Sequence, residues 1–438
     1  MKAKVLIVLM LALVAAGCSS GSSNDAAPTK TNAAETAATP ATAAAETESA
    51  KNVIIRIFDD KVEISEAFNS LKKEYEQSHP DVKLEIETQA AGQQYNTTLK
   101  VKFTSGEMPD IFSLQPYGSM SLWTEELEDL TGESWMNDVL EWAKPGMTFD
   151  GKIYGFPASV LGTGYIYNKD LFAKAGISKV PVTLMELTDA VNKLQAAGIK
   201  PFIVPYGDWF NPGVFSADNP MSKQANSDQF IQELNAGTSR FSENLIFKDW
   251  LKAVQLEVNN ASTDPLTVDF NGQITAMASG QGAMTTSCNC AQLLIDQVTP
   301  DMNLGMMPMP INDDAELNDK LLIQVGQYWV LNTKSQVKAE AKEFLKWLGT
   351  DGSKYLTDEF KFVPAFKSMK VDESRIGPLG ADVKKYIDEN KVLAATATKW
   401  PEGISMDFGS TLQKLAGEKI DAEQALSEFQ TSWDKLKK

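Results

Sequence analysis

From Asn52 to Leu114 the chain alternates between two hydrophobic periods, and this alternation limits its fold more than any other feature. Asn52-Val-Ile-Ile-Arg-Ile-Phe58 is a β-branched run closed by Asp59-Asp60-Lys61, which predicts a strand and then a loop. Ile64, Ala67, Phe68, Leu71 and Tyr75 then recur at the spacing of one helix face, up to Gln77. His79 stands in Ser78-His79-Pro80-Asp81, a helix-exit turn that leads into Val82-Lys-Leu-Glu-Ile86, an alternating strand. Tyr95 to Ser105 reads as a helix, and Pro109-Asp110-Ile-Phe-Ser-Leu114 as a short buried strand. Strands separated by helices imply an α/β fold on a mainly parallel sheet, because parallel neighbours need a crossover. Ligands of such sheets bind beyond the carboxyl ends of the strands. That rule selects Asp59, Asp60 and Lys61 after the first strand, and Gln115, Pro116 and Tyr117 after the third.

Further along, Tyr154-Gly-Phe-Pro157 leads through Gly162-Thr-Gly164 into Tyr165-Ile-Tyr167-Asn168, a stretch suited to crossing between two lobes. Thr183 to Ala197 is a capped helix, with Thr183 as N-cap, Glu186 as its capping-box partner and Gly198 as terminator. Met277 to Cys290 reads as a helix end, a turn at Gly280 and Gly282, then a strand running into a loop. Met306 to Pro310 has a linker composition, Gln324 to Leu331 is a strand, and Lys338 to Leu348 and Asp421 to Leu436 are amphipathic helices. No internal repeat is visible.

The amino-terminal end speaks to location. Lys2 and Lys4 precede an apolar run from Val5 to Val14, then Ala15-Ala16-Gly17-Cys18. A basic start, an apolar stretch too short to span a bilayer and small residues before a break form a secretory signal. Cys18 directly after Ala-Ala-Gly resembles a bacterial lipobox, with Ala15 standing where the usual pattern has Leu. The cysteine is then the lipidated new N-terminus, and its two acyl chains meet the requirement for stable anchoring. The plainer alternative is an ordinary signal peptide with a coincidental cysteine. Residues 18–50 carry no Val, Ile, Leu, Phe, Tyr or Trp, so they cannot bury enough surface to offset their ordering entropy and read as a disordered tether.

Charge and residue usage exclude several function classes. With 41 basic and 58 acidic residues the chain carries a formal −17, which disfavours any nucleic-acid partner. One histidine among 438 residues rules out a His-rich metal cage, and no cofactor is expected. In the head only Cys288 and Cys290 remain, and their spacing favours two buried thiols over a local disulfide. Carboxylate pairs occur at Asp59-Asp60, Glu125-Glu126 and Asp313-Asp314. Adjacent acids do not face each other across a glycosidic bond, and Glu125-Glu126 reads as an acidic helix face. No Gly-x-Ser-x-Gly elbow, phosphate loop or zincin helix is present.

Five stretches in order resemble the extracellular solute-binding proteins of ABC importers, the group that includes maltose-binding proteins. They are Ser105-Gly-Glu-Met-Pro-Asp-Ile111, Tyr154-Gly-Phe-Pro157, Tyr167-Asn-Lys-Asp-Leu-Phe172 with Ala175-Gly-Ile177, Gly282-Ala-Met-Thr285 and Ala339 to Leu348. The resemblance implies a two-lobed periplasmic-binding-protein type II fold with a hinge and an interlobe cleft. Lobe one would be 51–160 plus 312–362, and lobe two 161–311 plus 363–438. It also implies a monomeric, membrane-anchored carbohydrate-binding protein on the extracytoplasmic face. Such a protein closes on its solute, delivers it to an ABC permease and performs no bond chemistry.

Carried onto this chain, the resemblance makes Asp60, Lys61, Gln115 and Tyr117 candidate contacts on one side. Asp208, Trp209 and Phe210 form an aromatic loop on the other, with Trp400 as a late stacking position. Asp59, Gln94, Asp110, Tyr165, Ser287, Asn289, Gln327 and Tyr328 complete the candidate set. A ring that stacks on a sugar's apolar face while polar groups pair its hydroxyls is the chemistry such a site needs. Cys290 departs from the family pattern, which places Trp there. Plainer roles exist for each: Asp59 and Asp60 as solvated turn residues, Asp110 as a cap, Trp209 and Trp400 as core. Trp123, Trp135, Trp142, Trp250, Trp347 and Trp433 read as packing. A polyol, peptide or polyamine ligand, a secreted glycan-acting enzyme and a surface adhesion module are the competing functions.

Overall fold

In a computed structural model, which describes residues 53–89 and 93–437, the first five elements follow the order read from the sequence. The leader 1–17, Cys18 and the whole tether 18–50 with its boundary at Lys51 lie outside the described residues. Strands β1 (Val53–Asp59), β2 (Val82–Thr88) and β3 (Ile111–Leu114) run parallel, with β1 in the middle. The helix Ser65–Ser78 connects the first pair and buries Phe68, Leu71 and Tyr75. It ends at His79, whose ring stacks on Tyr75 with centroids 4.1 Å apart.

A hairpin of β4 (Thr148–Phe149) and β5 (Lys152–Ile153) precedes β6 (Gly155–Asn168), a strand of 14 residues. The sheet is completed by β7 (Phe202–Ile203), β8 (Met284–Cys288), β9 (Leu304–Met307), β10 (Leu321–Leu331) and β11 (Val392–Ala394). Its order is β2-β1-β3-β10-β6-β8-β7, with β11 on β10 and β9 on β6. The expected parallel character holds for β1 to β3, β7 with β8 and β10 with β11, but β6 and β10 run antiparallel to each other and to β3, β8 and β9. The first half of β6 pairs with β10, while its second half, from Thr163, pairs with β8 and β9. One strand thus crosses between two groups of strands. Gly162 and Gly164 are needed there for space: a Cβ on Gly164 would stand 2.3 Å from the Met307 carbonyl oxygen.

Two apolar clusters flank the sheet. The first contains Ile57, Phe112, Phe156 and Trp329, and the second Trp250, Phe408, Phe429 and Trp433. Each large side chain buried there contributes about 1.5–3 kcal/mol. Trp123, Trp135, Trp250 and Trp433 pack as expected, but Trp142 is 39 % exposed. Glu125 and Glu126 lie in a single 3-10 turn, not on a helix face.

The expected thiols are instead a disulfide, Cys288–Cys290. β8 ends at Cys288 and a 3-10 turn begins at Asn289, which brings the two Cα atoms to 5.1 Å, inside the usual span for a bridge. Thr183 caps the helix Leu184–Ala196 through the Glu186 amide, while the Glu186 carboxylate takes the Val182 amide, one residue before the cap. The last helix, Ala422–Leu436, has a complete capping box between Asp421 and Gln424.

Candidate functional site

β1 delivers Asp59, Asp60 and Lys61 to its carboxyl end, and none of them is a solvated turn residue. Asp59 is fully buried and Asp60 is 7 % exposed. One Asp59 oxygen accepts the Lys61 amide at 2.8 Å. The other accepts Trp329 Nε1 at 2.6 Å and Gln327 Nε2 at 3.1 Å. Burial, then the charge of Asp60, push the Asp59 carboxyl up to about 7 against the pull of these donors. Burial raises Asp60 too, opposed by Lys61 and Ser113. For Lys61 burial works against the charge, but Glu63, Asp60 and Asp59 outweigh it and hold the ammonium above its ordinary range. Lys61 also pairs with Glu63 at 3.6 Å.

β3 supports this end through Ser113, whose hydroxyl accepts the Asp60 amide at 2.9 Å. Tyr95 locks the two strands by donating to the carbonyls of Phe58 and Ser113. Past β3, Gln115 is exposed and Tyr117 is half-buried with φ 57°, a left-handed backbone. The Lys399 ammonium lies 5.2 Å from the centre of the Tyr117 ring. Asp110 sits at the amino end of β3, where its two oxygens accept the Arg56 amide and the Ser335 hydroxyl. Gln94 is exposed at the start of the helix Gln93–Ser105.

β8 brings the second set. Ser287 and Asn289 are buried, and Asn289 Oδ1 accepts the Gly162 amide at 2.9 Å, extending the β6 ladder just where β8 ends. Asn211 donates to the Thr286 carbonyl at 2.9 Å and so fixes the loop of Asp208, Trp209 and Phe210 beside β8. Trp209 is 40 % exposed and meets Phe210 edge-on, while Phe210 meets Phe215 and Phe270 in the same way. Asp208 accepts the Phe270 amide at 2.8 Å.

Lys61, just past β1, and Asn289 with Cys290, just past β8, line one small cavity of about 10 Å³ together with Leu161 and Phe362. The structure therefore joins residues more than two hundred positions apart. It does not join all of the candidates. Tyr165 is buried with its hydroxyl on Glu257, Tyr328 donates to the Ala143 carbonyl, and Trp400 packs on Phe408 with its Nε1 on Thr396. Sequence reasoning missed Ser159, Trp329 and Asn211, and no local pattern marks them. Among the described residues Asp60 Oδ1, Ser159 Oγ, Asn211 Oδ1, Ser287 Oγ and Gln327 Oε1 are buried polar atoms without a hydrogen-bond partner. A larger groove of about 420 Å³ lies elsewhere, between Val254–Asn259 and Leu415–Gln424. It holds none of these buried charges or unpaired atoms, so the strand ends are the better candidate.

The chain from 59 to 355, well over half of it, matches the family described as bacterial extracellular solute-binding protein. It is 23 % identical over 303 residues to the melibiose/raffinose/stachyose-binding protein MelE of Bacillus subtilis, covering 65 % of this chain and 66 % of that one, just under two thirds. The solute-binding protein RafE in complex with raffinose superposes with a TM-score of 0.76 at 20 % identity, over 88 % of this chain and all of that one. A sugar transporter of Bacillus licheniformis in complex with stachyose gives 0.69 at 20 % identity, again over 88 % of this chain and 100 % of its own. These matches carry the two-lobed fold. With the family match over residues 59–355, and β6 crossing between the two groups of strands, the chain belongs to the bacterial extracellular solute-binding proteins.

Proposed function

We propose that this protein is the lipid-anchored solute-binding component of an ABC importer, held outside the membrane through Cys18. On this reading it captures an oligosaccharide by hinge closure and hands it to a membrane permease, as a monomer and without bond chemistry. The lobes are 51–160 plus 312–362 and 161–311 plus 363–438, with β6 as the crossing strand. The observation that supports the reading is that Lys61, just after β1, and Asn289, just after β8, line the same small cavity, so these two strand ends lie close together. A hinge with two states that differ in ligand affinity is all the mechanism required.

Sugar is favoured over a charged solute by the mix of unpaired groups. Ser159, Ser287, Asn211 and Gln327 offer neutral hydroxyl and amide oxygens, which suit sugar hydroxyls. Trp209 and Phe210 supply half-exposed ring faces near β8. The named ligands of MelE and of the two solved complexes are oligosaccharides and point the same way.

The test is thermal unfolding of the recombinant head with melibiose, raffinose, stachyose, polyols, peptides and polyamines. Raffinose or a related sugar is expected to raise the melting temperature, and Trp209→Ala to weaken its binding at least about tenfold, roughly 1.4 kcal/mol. A shift with a polyamine or peptide but with no sugar sinks the carbohydrate reading. Glycan hydrolysis by the purified protein would instead favour an enzyme. Membrane recovery after Cys18→Ala tests the anchor, which is expected to be lost.

A further inference from the structure

The Cys288–Cys290 bridge encloses one residue, Asn289. Loop-closure entropy grows with loop length, so a bridge between cysteines two positions apart restrains the unfolded chain less than one across a long loop. Its effect falls instead on the local shape of the chain, where β8 stops and the 3-10 turn Asn289–Ala291 begins. Two contacts depend on that shape. Cys288 pairs with Thr163 at the end of the ladder between β8 and β6. One position back along β6, the Gly162 amide donates to Asn289 Oδ1 at 2.9 Å, so a side chain continues the ladder where the backbone of β8 turns away. Asn289 is 5 % exposed, and its Nδ2 makes no hydrogen bond among the described residues. With Oδ1 taken by Gly162, Nδ2 is the group of this amide left to donate to a solute oxygen. Asn289 and the half-buried Cys290 both line the small cavity shared with Lys61.

We propose that the Cys288–Cys290 bridge is a positioning element of the solute site: it holds Asn289 on Gly162, and a dithiol that opens the bridge releases Asn289 and weakens solute capture. This rests on the solute-binding function proposed above. Cys288 is 1 % exposed, so the entering thiolate meets Cys290 Sγ. The sulfur–sulfur bond breaks, and Cys288 leaves as a thiolate that takes up the proton the reagent has lost. The second thiol of the reagent then displaces Cys290 as a thiol and closes a disulfide on the reagent itself. The bridge thus gains the electron pair and the protons that the dithiol gives up. With the bridge open, only the hydrogen bond to Gly162 and the turn itself restrain the Asn289 side chain, and the end of β8 is free to adjust.

Hydrogen exchange and raffinose titration of the intact protein, with and without dithiothreitol, test the bridge. Reduction is expected to speed exchange of the Gly162 amide at least about tenfold, while the amides of the helix Ala422–Leu436 keep their rates. It should also weaken raffinose binding at least about fivefold. Cys288→Ala with Cys290→Ala should show both changes without dithiothreitol and no response to it. If that variant fails to fold, the reduced wild type carries the test. Unchanged exchange at Gly162 on reduction overturns the positioning role, as does an equal rise throughout Ala422–Leu436, which would make the bridge a general support of the fold. Equal raffinose affinity in both redox forms also overturns it. If raffinose binds neither form, the carbohydrate assignment loses its support, and exchange at Gly162 alone decides whether the bridge holds Asn289.

Discussion

Glu257 shows what burial does to a single side chain in this head. Its Oε1 accepts the Tyr165 hydroxyl at 2.5 Å, and Thr286 reaches Oε2 at 3.5 Å. Burial outweighs both donors and pushes the carboxyl from 4.5 up to about 7. The folded state therefore holds its proton more tightly than the unfolded chain does. The stability this group confers is complete below about pH 4.5 and is lost as the pH climbs to about 7, a change of roughly 3 kcal/mol. Glu257→Gln keeps the acceptor for Tyr165 and carries no charge. Urea unfolding of the variant should lose roughly 3 kcal/mol less between pH 4.5 and 8 than the wild type, with the slope from Asp59 remaining in both. Parallel pH profiles for the two proteins would show that Glu257 is charged in the fold at neutral pH. The partners of such residues were unreadable in advance because they are far apart in the chain. Tyr165 and Glu257 are 92 positions apart, and Asp59 and Trp329 are 270. Asp59-Asp60-Lys61 was readable as a candidate because the strand-end rule is local, but its burial beneath Trp329 was not.

At the scale of elements, local signals read best. The helices Ser65–Ser78, Leu184–Ala196 and Ala422–Leu436 follow from their apolar spacing, the second also from its Thr183 cap, and β1 to β3 from β-branched runs between turn residues. Features set by neighbouring elements did not. The Cys288–Cys290 bridge depends on where β8 stops, and the exposure of Trp142 on a 3-10 turn that buries Ala143 instead. The crossing strand β6 lies between these cases: its two glycines marked a crossing, while their steric reason lies in β9 and in Val383. Gly164→Ala tests that reason. Its Cβ would meet the backbone of β9 at Met307, which cannot rotate away, so a loss of about 1–3 kcal/mol is expected. Gly132→Ala is the control, since a Cβ there meets nothing within 4 Å and should change stability by less than about 0.5 kcal/mol. Equal melting temperatures for the two variants would mean that β9 yields freely and that β6 is not tightly held.

For the whole molecule the question is what favours closure of the proposed cleft. Lys361 lies in the segment whose neighbour Val363 bridges to Val160, in the first half of β6. Asp296 belongs to the helix Gln292–Val298, which follows β8. Under the proposed division these are opposite lobes, and their Nζ and Oδ2 atoms are 3.3 Å apart. Gln292 donates to the other Asp296 oxygen at 2.8 Å and so orients the carboxylate toward the pair. Lys361 is held at φ 54°, a left-handed backbone that a lysine adopts only when its surroundings compensate. Lys361 and Gln292 also line the cavity shared by Lys61 and Asn289, so the pair adjoins that cavity. Both side chains are about a quarter exposed, which limits the pair to about 1 kcal/mol, or roughly fivefold in the ratio of closed to open forms. Asp296→Asn removes the charge but keeps an acceptor for Gln292. Small-angle scattering of the ligand-free variant should give a larger radius of gyration than the wild type, and the sugar found in the panel should bind roughly fivefold more weakly. High salt should reproduce part of both effects in the wild type and little in the variant, because screening acts on the pair itself. If the radius and the affinity are unchanged in Asp296→Asn, the pair forms equally in both states, and closure is driven by the solute alone.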